Sequence, residues 1–125
     1  MMTNQQTQLP NILVFEDDSL MHQCWDMCAV DSQKIDTLHK FYSWEEFEKQ
    51  GNANLAKDAV AFVDFDFNKV KSSFNGVDIA KRLKGLGVKK LYSITGNPNY
   101  LAGNSHLFDD ILGKEIPSDI RAYVA

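Results

Sequence analysis

The chain has 125 residues, of which 44% are hydrophobic and 24% are charged, as is typical of one globular domain with a substantial core. Its net charge of -4 and isoelectric point near 5.2 argue against direct binding to nucleic acid or to a membrane surface, since both need a basic face. No apolar stretch of the sequence approaches the roughly 18 residues of a membrane span.

The ends and the cysteines of the chain indicate its organisation and compartment. Residues 1–9 are polar and lack the apolar stretch of a secretion signal, so we expect a disordered lead-in to one domain at 10–125. Cys24 and Cys28 lie four residues apart in a segment with helical spacing, and both thiols are expected to pack as small apolar groups. A metal site that also uses His22 is the alternative. The lack of a disulfide framework favours a cytoplasmic location.

The first half of the chain predicts two strand-helix units. Residues 11–15, apolar from Ile12 onward, predict a strand, and a helix follows from Ser19, its expected N-cap, to about Val30. Residues 34–41 alternate imperfectly between apolar and polar, which is typical of a half-exposed edge strand. Ser43, with Glu46 three residues later, predicts the capping box of a short helix.

The second half predicts three further units. Strands are expected at 58–65, 89–94 and 110–113. A long loop follows the first of them, and then a helix begins at Asn75-Gly76 and ends at Gly85 and Gly87. Pro117 suits the first turn of a short last helix. Five strand-helix units with right-handed crossovers predict an α/β fold: a doubly wound, five-stranded parallel sheet, (βα)5 and flavodoxin-like, in the order 2-1-3-4-5.

Chemically useful side chains follow four of the five predicted strands. Glu16 and Asp17 follow the first strand, Asp64 lies at the end of the third, Thr95 follows the fourth, and Lys114 follows the fifth. Ligands of an open parallel sheet bind in the crevice at the carboxyl ends of its strands, so these five residues are expected to meet there. Carboxylates, a hydroxyl and a lysine in one crevice favour a divalent-metal and phosphoryl site.

These residues and their order give the sequence a close resemblance to the receiver domain of two-component response regulators, in a chemotaxis-regulator-like form, over residues 11–125. Four segments carry the resemblance: Leu13-Val14-Phe15-Glu16-Asp17-Asp18, Phe62-Val63-Asp64, Ser93-Ile94-Thr95-Gly96 and Ile111-Leu112-Gly113-Lys114. It implies phosphorelay signal transduction, in which a histidine of a sensor kinase or of a phosphotransfer protein donates its phosphoryl group to Asp64. Such a domain is a phosphoacceptor and not an enzyme, beyond self-phosphorylation from small donors and autodephosphorylation.

The resemblance also implies a role for each site residue. Mg²⁺ is the expected cofactor, with Asp17 and Asp64 as direct ligands and Glu16 acting through water; carboxylates and water are the ligands that this ion prefers. Thr95 is expected to donate its hydroxyl to a phosphoryl oxygen, and Lys114 to pair with another as a point charge.

Two kinds of protein partner are expected. The donor histidine must reach Asp64, so its protein must cover the rim of the crevice, where Leu20 and Met21 begin the first helix. We expect these two apolar side chains to help dock the donor, although one of them is expected to belong to the core. The phosphorylated domain would then switch its contact with a downstream protein.

The sequence departs from the usual receiver pattern in several places. The loop after Asp64 is longer than usual and contains the acidic residue Asp66. Proline follows Lys114 only at position 117, and Ile111 stands where many receivers carry a switch aromatic. These departures bear on the threonine-aromatic coupling and on the output face, and they leave the predicted phosphorylation chemistry intact.

Two other functions compete with the phosphoacceptor. Phe62-Val63-Asp64-Phe65-Asp66 also resembles the nucleophile motif of haloacid dehalogenase-like phosphatases, but in that family the nucleophile lies on the first strand, and Glu16 and Asp17 would have no role. A pseudo-receiver, a binding module that keeps the fold without the switch, is the second alternative. The presence of all five site residues favours the phosphoacceptor.

Overall fold

Five parallel strands form one sheet in this computed structural model, which describes residues 11–16, 18–31, 38–50, 53–64, 76–94 and 105–112. The sheet has the order β2-β1-β3-β4-β5, which confirms the predicted flavodoxin-like arrangement with the half-polar strand at an edge. The strands, each within a predicted segment, are β1 (Ile12–Phe15), β2 (Leu38–Phe41), β3 (Val60–Asp64), β4 (Lys90–Ile94) and β5 (Asp110–Leu112).

Four α-helices lie among the described residues. They are α1 (Ser19–Asp31), α2 (Trp44–Lys49), α3 (Ala53–Ala56) and α4 (Gly76–Gly85), and a 3-10 turn at Ser105–Leu107 precedes β5. The sequence did not predict α3, because four residues are too few to show a helical period. The expected lead-in at 1–9, the long loop after Asp64 and the helix near Pro117 lie outside the described residues.

Both faces of the sheet are covered, which explains why β1 and β3 are continuously apolar. On the face covered by α2 and α4, the Phe15 ring lies between 5.3 and 5.9 Å from three other aromatic rings, those of Phe41, Trp44 and Phe47. On the opposite face, the ring of Trp25 of α1 packs against the Phe62 ring, with centroids 4.9 Å apart. The Phe62 ring stacks in turn on the Tyr92 ring, with centroids 5.2 Å apart. Two aromatic cores therefore hold the central strands from both sides.

The start of α1 differs from the prediction. The Oδ1 atom of Asp18 accepts the N–H of Leu20 at 2.9 Å, and the Asp18 carbonyl accepts the N–H of His22 at 3.1 Å. Asp18 is therefore the N-cap, and the predicted N-cap Ser19 is the first helical residue. A carboxylate suits this place because it also interacts favourably with the positive end of the helix dipole.

The inward face of α1 also differs from the prediction. Cys28 is buried but Cys24 is exposed, so the expected burial of both thiols is wrong for one of them. Over residues 19–28, the part of α1 whose side chains the structure describes, the buried residues are His22, Trp25 and Cys28, at intervals of three. The alternative metal site on Cys24, Cys28 and His22 is also wrong, since no group of three or more His, Cys, Asp or Glu side chains in the described part of the chain could hold a metal ion.

The ends of α2 and α4 follow their sequence signals. Ser43 Oγ accepts the N–H of Glu46 at 3.1 Å, and Glu46 Oε1 accepts the N–H of Tyr42 at 2.9 Å, one residue earlier than in the standard capping box. Helix α4 closes with a Schellman motif, in which the N–H of Val88 bonds to the carbonyl of Leu83 at 3.3 Å. Gly87 follows the helix with φ of +94°, a backbone conformation that residues other than glycine rarely adopt.

Candidate functional site

The carboxyl ends of β1 and β3 bring two carboxylates to neighbouring positions. Phe15 pairs with Val63 in the parallel register, and Glu16 and Asp64 each follow that pair by one residue. Both side chains are buried, with exposed fractions of 2% and 3%. Acidic side chains are rarely this buried, so two of them at adjacent strand ends make this edge the candidate functional site.

The backbone of Glu16 is held from two sides. Its N–H donates to the carbonyl of Phe41 at 3.0 Å, at the end of the neighbouring strand β2. Its carbonyl oxygen lies 2.6 Å from Nε2 of His22, on the first turns of α1. In addition, Glu16 Oε2 accepts the N–H of Asp18 at 3.3 Å. This acidic residue is therefore fixed both to the sheet and to the helix that follows it.

The ends of β4 and β5 lie level with Asp64. Asp64 pairs with Ile94, and Ile94 pairs with Leu112, so β3, β4 and β5 end at the same edge of the sheet. The sequence continues directly from Ile94 to Thr95, and Lys114 comes two residues after Leu112. Thr95, Lys114 and Asp17 lie outside the described residues, so their roles stay predictions.

His22 is a residue of this edge that the sequence reasoning considered only as a partner of the cysteines. It is 4% exposed and stacks on the Tyr42 ring, with centroids 3.8 Å apart and planes inclined by 7°. Burial lowers the pKa of His22 and the Lys40 charge lowers it further, while the bond to the Glu16 carbonyl and nearby acidic charges oppose the shift. Its place three residues before Trp25, on the inward face of the helix, is the signal that could have identified it.

The two residues predicted to dock a partner begin α1, directly after this edge. Leu20 is 63% exposed and Met21 is partly buried. Neither side chain is buried, so the expectation that one of the pair belongs to the core is not confirmed. Leu20 is thus an apolar side chain that a protein approaching the crevice could cover.

The donor set suits a hard divalent cation. Glu16 and Asp64 supply carboxylate oxygens from two adjacent strands, the ligand type that Mg²⁺ prefers. They are two of the three predicted ligands, and the third, Asp17, lies between Glu16 and Asp18 in the sequence and outside the described residues. The two carboxylates that the structure describes therefore match the expected ion in ligand type, but among the described residues they do not by themselves form a group of three that could hold a metal ion.

A groove of about 480 Å³ elsewhere on the molecule is distinct from this site. Its lining includes Trp44, Phe47 and Leu86, and the Arg82 guanidinium lies 5.9 Å above the Trp44 ring. None of the predicted site residues that the structure describes lines it. The candidate site is therefore the strand-end crevice.

Several solved structures similar to this chain are response regulators or their receiver domains. Full-length FixJ from B. japonicum is 18% identical with a TM-score of 0.68; the similarity covers 92% of this chain but only 55% of FixJ. The receiver domain of NtrX from Brucella abortus is 17% identical over 91% of this chain and 93% of its own, with a TM-score of 0.65. The chemotaxis response regulator CheY4 of Vibrio cholerae is 13% identical over 89% of this chain and 91% of its own, with a TM-score of 0.67.

These similarities establish the fold. No protein-family model matches the chain, and no curated protein matches its sequence. The chain has the fold of response-regulator receiver domains, as the resemblance in its sequence predicts. Asp64 ends the third strand of the chain, whereas the phosphatase alternative needs its nucleophile on the first. Within the described residues, no helix combines the length and the apolar character needed to cross a membrane.

Proposed function

We propose that this protein is a phosphoacceptor in two-component signalling, with Asp64 as the residue that is phosphorylated. The observation that carries the proposal is the buried Asp64 carboxylate, at the end of a central strand of the receiver fold and level with the buried Glu16. The donor would be a phosphohistidine of a sensor kinase or of a histidine phosphotransfer protein.

The transfer follows from the residue types. A carboxylate oxygen of Asp64 forms the new bond to phosphorus, and the bond from phosphorus to the donor's imidazole nitrogen breaks, leaving its electron pair on that nitrogen. Glu16, Asp17 and Asp64 would hold Mg²⁺, which neutralises the repulsion between the carboxylate and the phosphoryl group. Thr95 would donate a hydrogen bond to one phosphoryl oxygen, and Lys114 would pair with another.

The product is an aspartyl phosphate that changes a contact with a downstream protein partner. The acidic composition favours a protein partner over direct contact with nucleic acid or with a membrane. Ile111, at the position of the usual switch aromatic, is partly buried against the core. The free thiols of Cys24 and Cys28 suit a reducing cytoplasm, where we place the protein.

Phosphorylation from a small donor tests this assignment. Incubation with acetyl phosphate and Mg²⁺ should add one phosphoryl group to the intact protein, and hydroxylamine should remove it. The Asp64→Asn variant should gain none. Asp58→Asn is the matched control, because Asp58 lies before the amino end of the same strand and its φ of 59° suits asparagine. Labelling that persists in Asp64→Asn would overturn the assignment, whereas a wild type that is never labelled would favour the pseudo-receiver.

A further inference from the structure

A chain of contacts connects the acidic edge of the sheet to the cap of α2. Glu46 Oε1 accepts the N–H of Tyr42 at 2.9 Å, and the Tyr42 ring lies flat against the imidazole of His22. Nε2 of His22 in turn lies 2.6 Å from the carbonyl oxygen of Glu16. A carbonyl oxygen only accepts hydrogen bonds, so Nε2 must carry the hydrogen and act as the donor.

This arrangement restricts how Glu16 can move. Its carbonyl group is held by a side chain that starts from another element, α1. The imidazole is itself confined, because it is 4% exposed and stacked on Tyr42. A short hydrogen bond from a confined imidazole fixes the orientation of the Glu16 carbonyl group.

We propose that His22 is a positioning residue of the acidic site, which sets the backbone at Glu16 and thereby its affinity for a divalent cation. The inference rests on the proposed function, in which Glu16 and Asp17 belong to the Mg²⁺ ligand set. Groups that orient the ligands of a metal contribute to affinity without touching the metal, and their removal typically weakens binding by about 10- to 100-fold. The stacked Tyr42 ring limits the rotation of the His22 imidazole, which donates the hydrogen bond.

The test measures the dissociation constant of Mg²⁺ by isothermal titration calorimetry, with no phosphoryl donor present. His22→Leu removes the hydrogen-bond donor to the Glu16 carbonyl and should weaken Mg²⁺ binding by about 10-fold or more. His22→Gln keeps an N–H donor in a similar place and should stay within about 3-fold of the wild type. Gln23→Leu, at the exposed neighbouring position on α1, is the matched control and should leave the affinity unchanged.

Thermal unfolding in EDTA shows whether each variant is folded. If His22→Leu does not fold, Tyr42→Ala replaces it, because Tyr42 is 38% exposed and its loss should weaken Mg²⁺ binding, through a freer imidazole, by more than His22→Gln does. A folded His22→Leu with the wild-type affinity would overturn the inference, and so would equal losses in His22→Leu and His22→Gln. A wild type that binds no Mg²⁺ would overturn the proposed metal site and this inference together.

Discussion

The two ends of the sheet use the same kinds of polar residue in different ways. At the amino ends of the strands, Asp109 exchanges two hydrogen bonds with Leu91: its Oδ2 accepts the Leu91 N–H, and its own N–H donates to the Leu91 carbonyl, both at 2.7 Å. The N–H of Asp58 donates to the carbonyl of Gly87 at 2.8 Å. These aspartates join neighbouring chain segments and stabilise the fold.

At the carboxyl ends, the acidic side chains are buried instead. Glu16 and Asp64 lie level on adjacent strands with almost no exposure. Like charges brought close together repel one another, and a bound cation would relieve such a repulsion. The comparison teaches that the aspartates at the amino end of this sheet bond to neighbouring backbone, whereas the buried acidic pair at the carboxyl end is the place where we propose the chemistry.

The largest effect should come from removing an acidic residue of the carboxyl end. At 100 times its dissociation constant, Mg²⁺ should stabilise the wild type by about 2.7 kcal/mol, because it binds only the native state. Asp17→Asn should abolish this response, and without Mg²⁺ it should be slightly more stable than the wild type, since one repelling charge is gone. Thermal unfolding with and without Mg²⁺ measures both effects. An unchanged Mg²⁺ response in the variant would place the ligand set elsewhere.

A change at the amino end should affect stability alone. Asp109→Ala leaves the N–H of Leu91 without its 2.7 Å acceptor and should lower the free energy of unfolding by about 1–3 kcal/mol. Asp109→Asn keeps an acceptor oxygen and should lower the free energy of unfolding by less. Urea denaturation gives the stabilities, and labelling by acetyl phosphate below the transition should match the wild type in both variants. A folded Asp109→Ala that cannot be labelled would break the proposed division between the two ends.

A smaller effect should distinguish the rim of the crevice from the rest of α1. Leu20 and Met27 are both exposed on this helix, at 63% and 67%, but Leu20 lies at its start, next to the acidic edge. Leu20→Ser should slow phosphoryl transfer from a phosphohistidine partner by about 10-fold, which corresponds to one apolar contact of about 1.4 kcal/mol. Met27→Ser is the matched control and should accept the phosphoryl group from the partner at the wild-type rate.

Labelling by acetyl phosphate should be close to normal in both of these variants, because a small donor needs no docking surface. If Leu20→Ser loses labelling by both donors to the same extent, the helix start has been damaged and Leu20 has no docking role. Equal slowing by Met27→Ser would instead extend the docking surface along the helix.

The sequence predicted the parts of this molecule that depend on local patterns. Continuous apolar runs predicted the central strands, and alternation near Phe41 predicted the edge strand. Ser43 and Gly87 predicted the start of α2 and the end of α4, because capping chemistry acts over a few neighbouring residues. The strand-end positions of Glu16 and Asp64 followed from the parallel order of the strands.

The sequence did not predict features that depend on contacts between elements. The exposure of Cys24 and the burial of His22 depend on how α1 is rotated against the sheet, which its mixed composition does not specify. The bond from His22 to Glu16 spans six residues and needs both the helix and the end of β1 in place. Asp18 replaced Ser19 as N-cap because both residue types can cap, and only the geometry of the turn decides between them.

Mapping the phosphorylated residue tests the central claim most directly. The wild type is treated with acetyl phosphate and Mg²⁺ and then reduced with borohydride, which converts an aspartyl phosphate into homoserine. Proteolysis and tandem mass spectrometry then identify the altered position. We predict homoserine at position 64 and at no other aspartate, including Asp17, Asp18 and Asp66. Homoserine at another position, with Asp64 unchanged, would contradict the account.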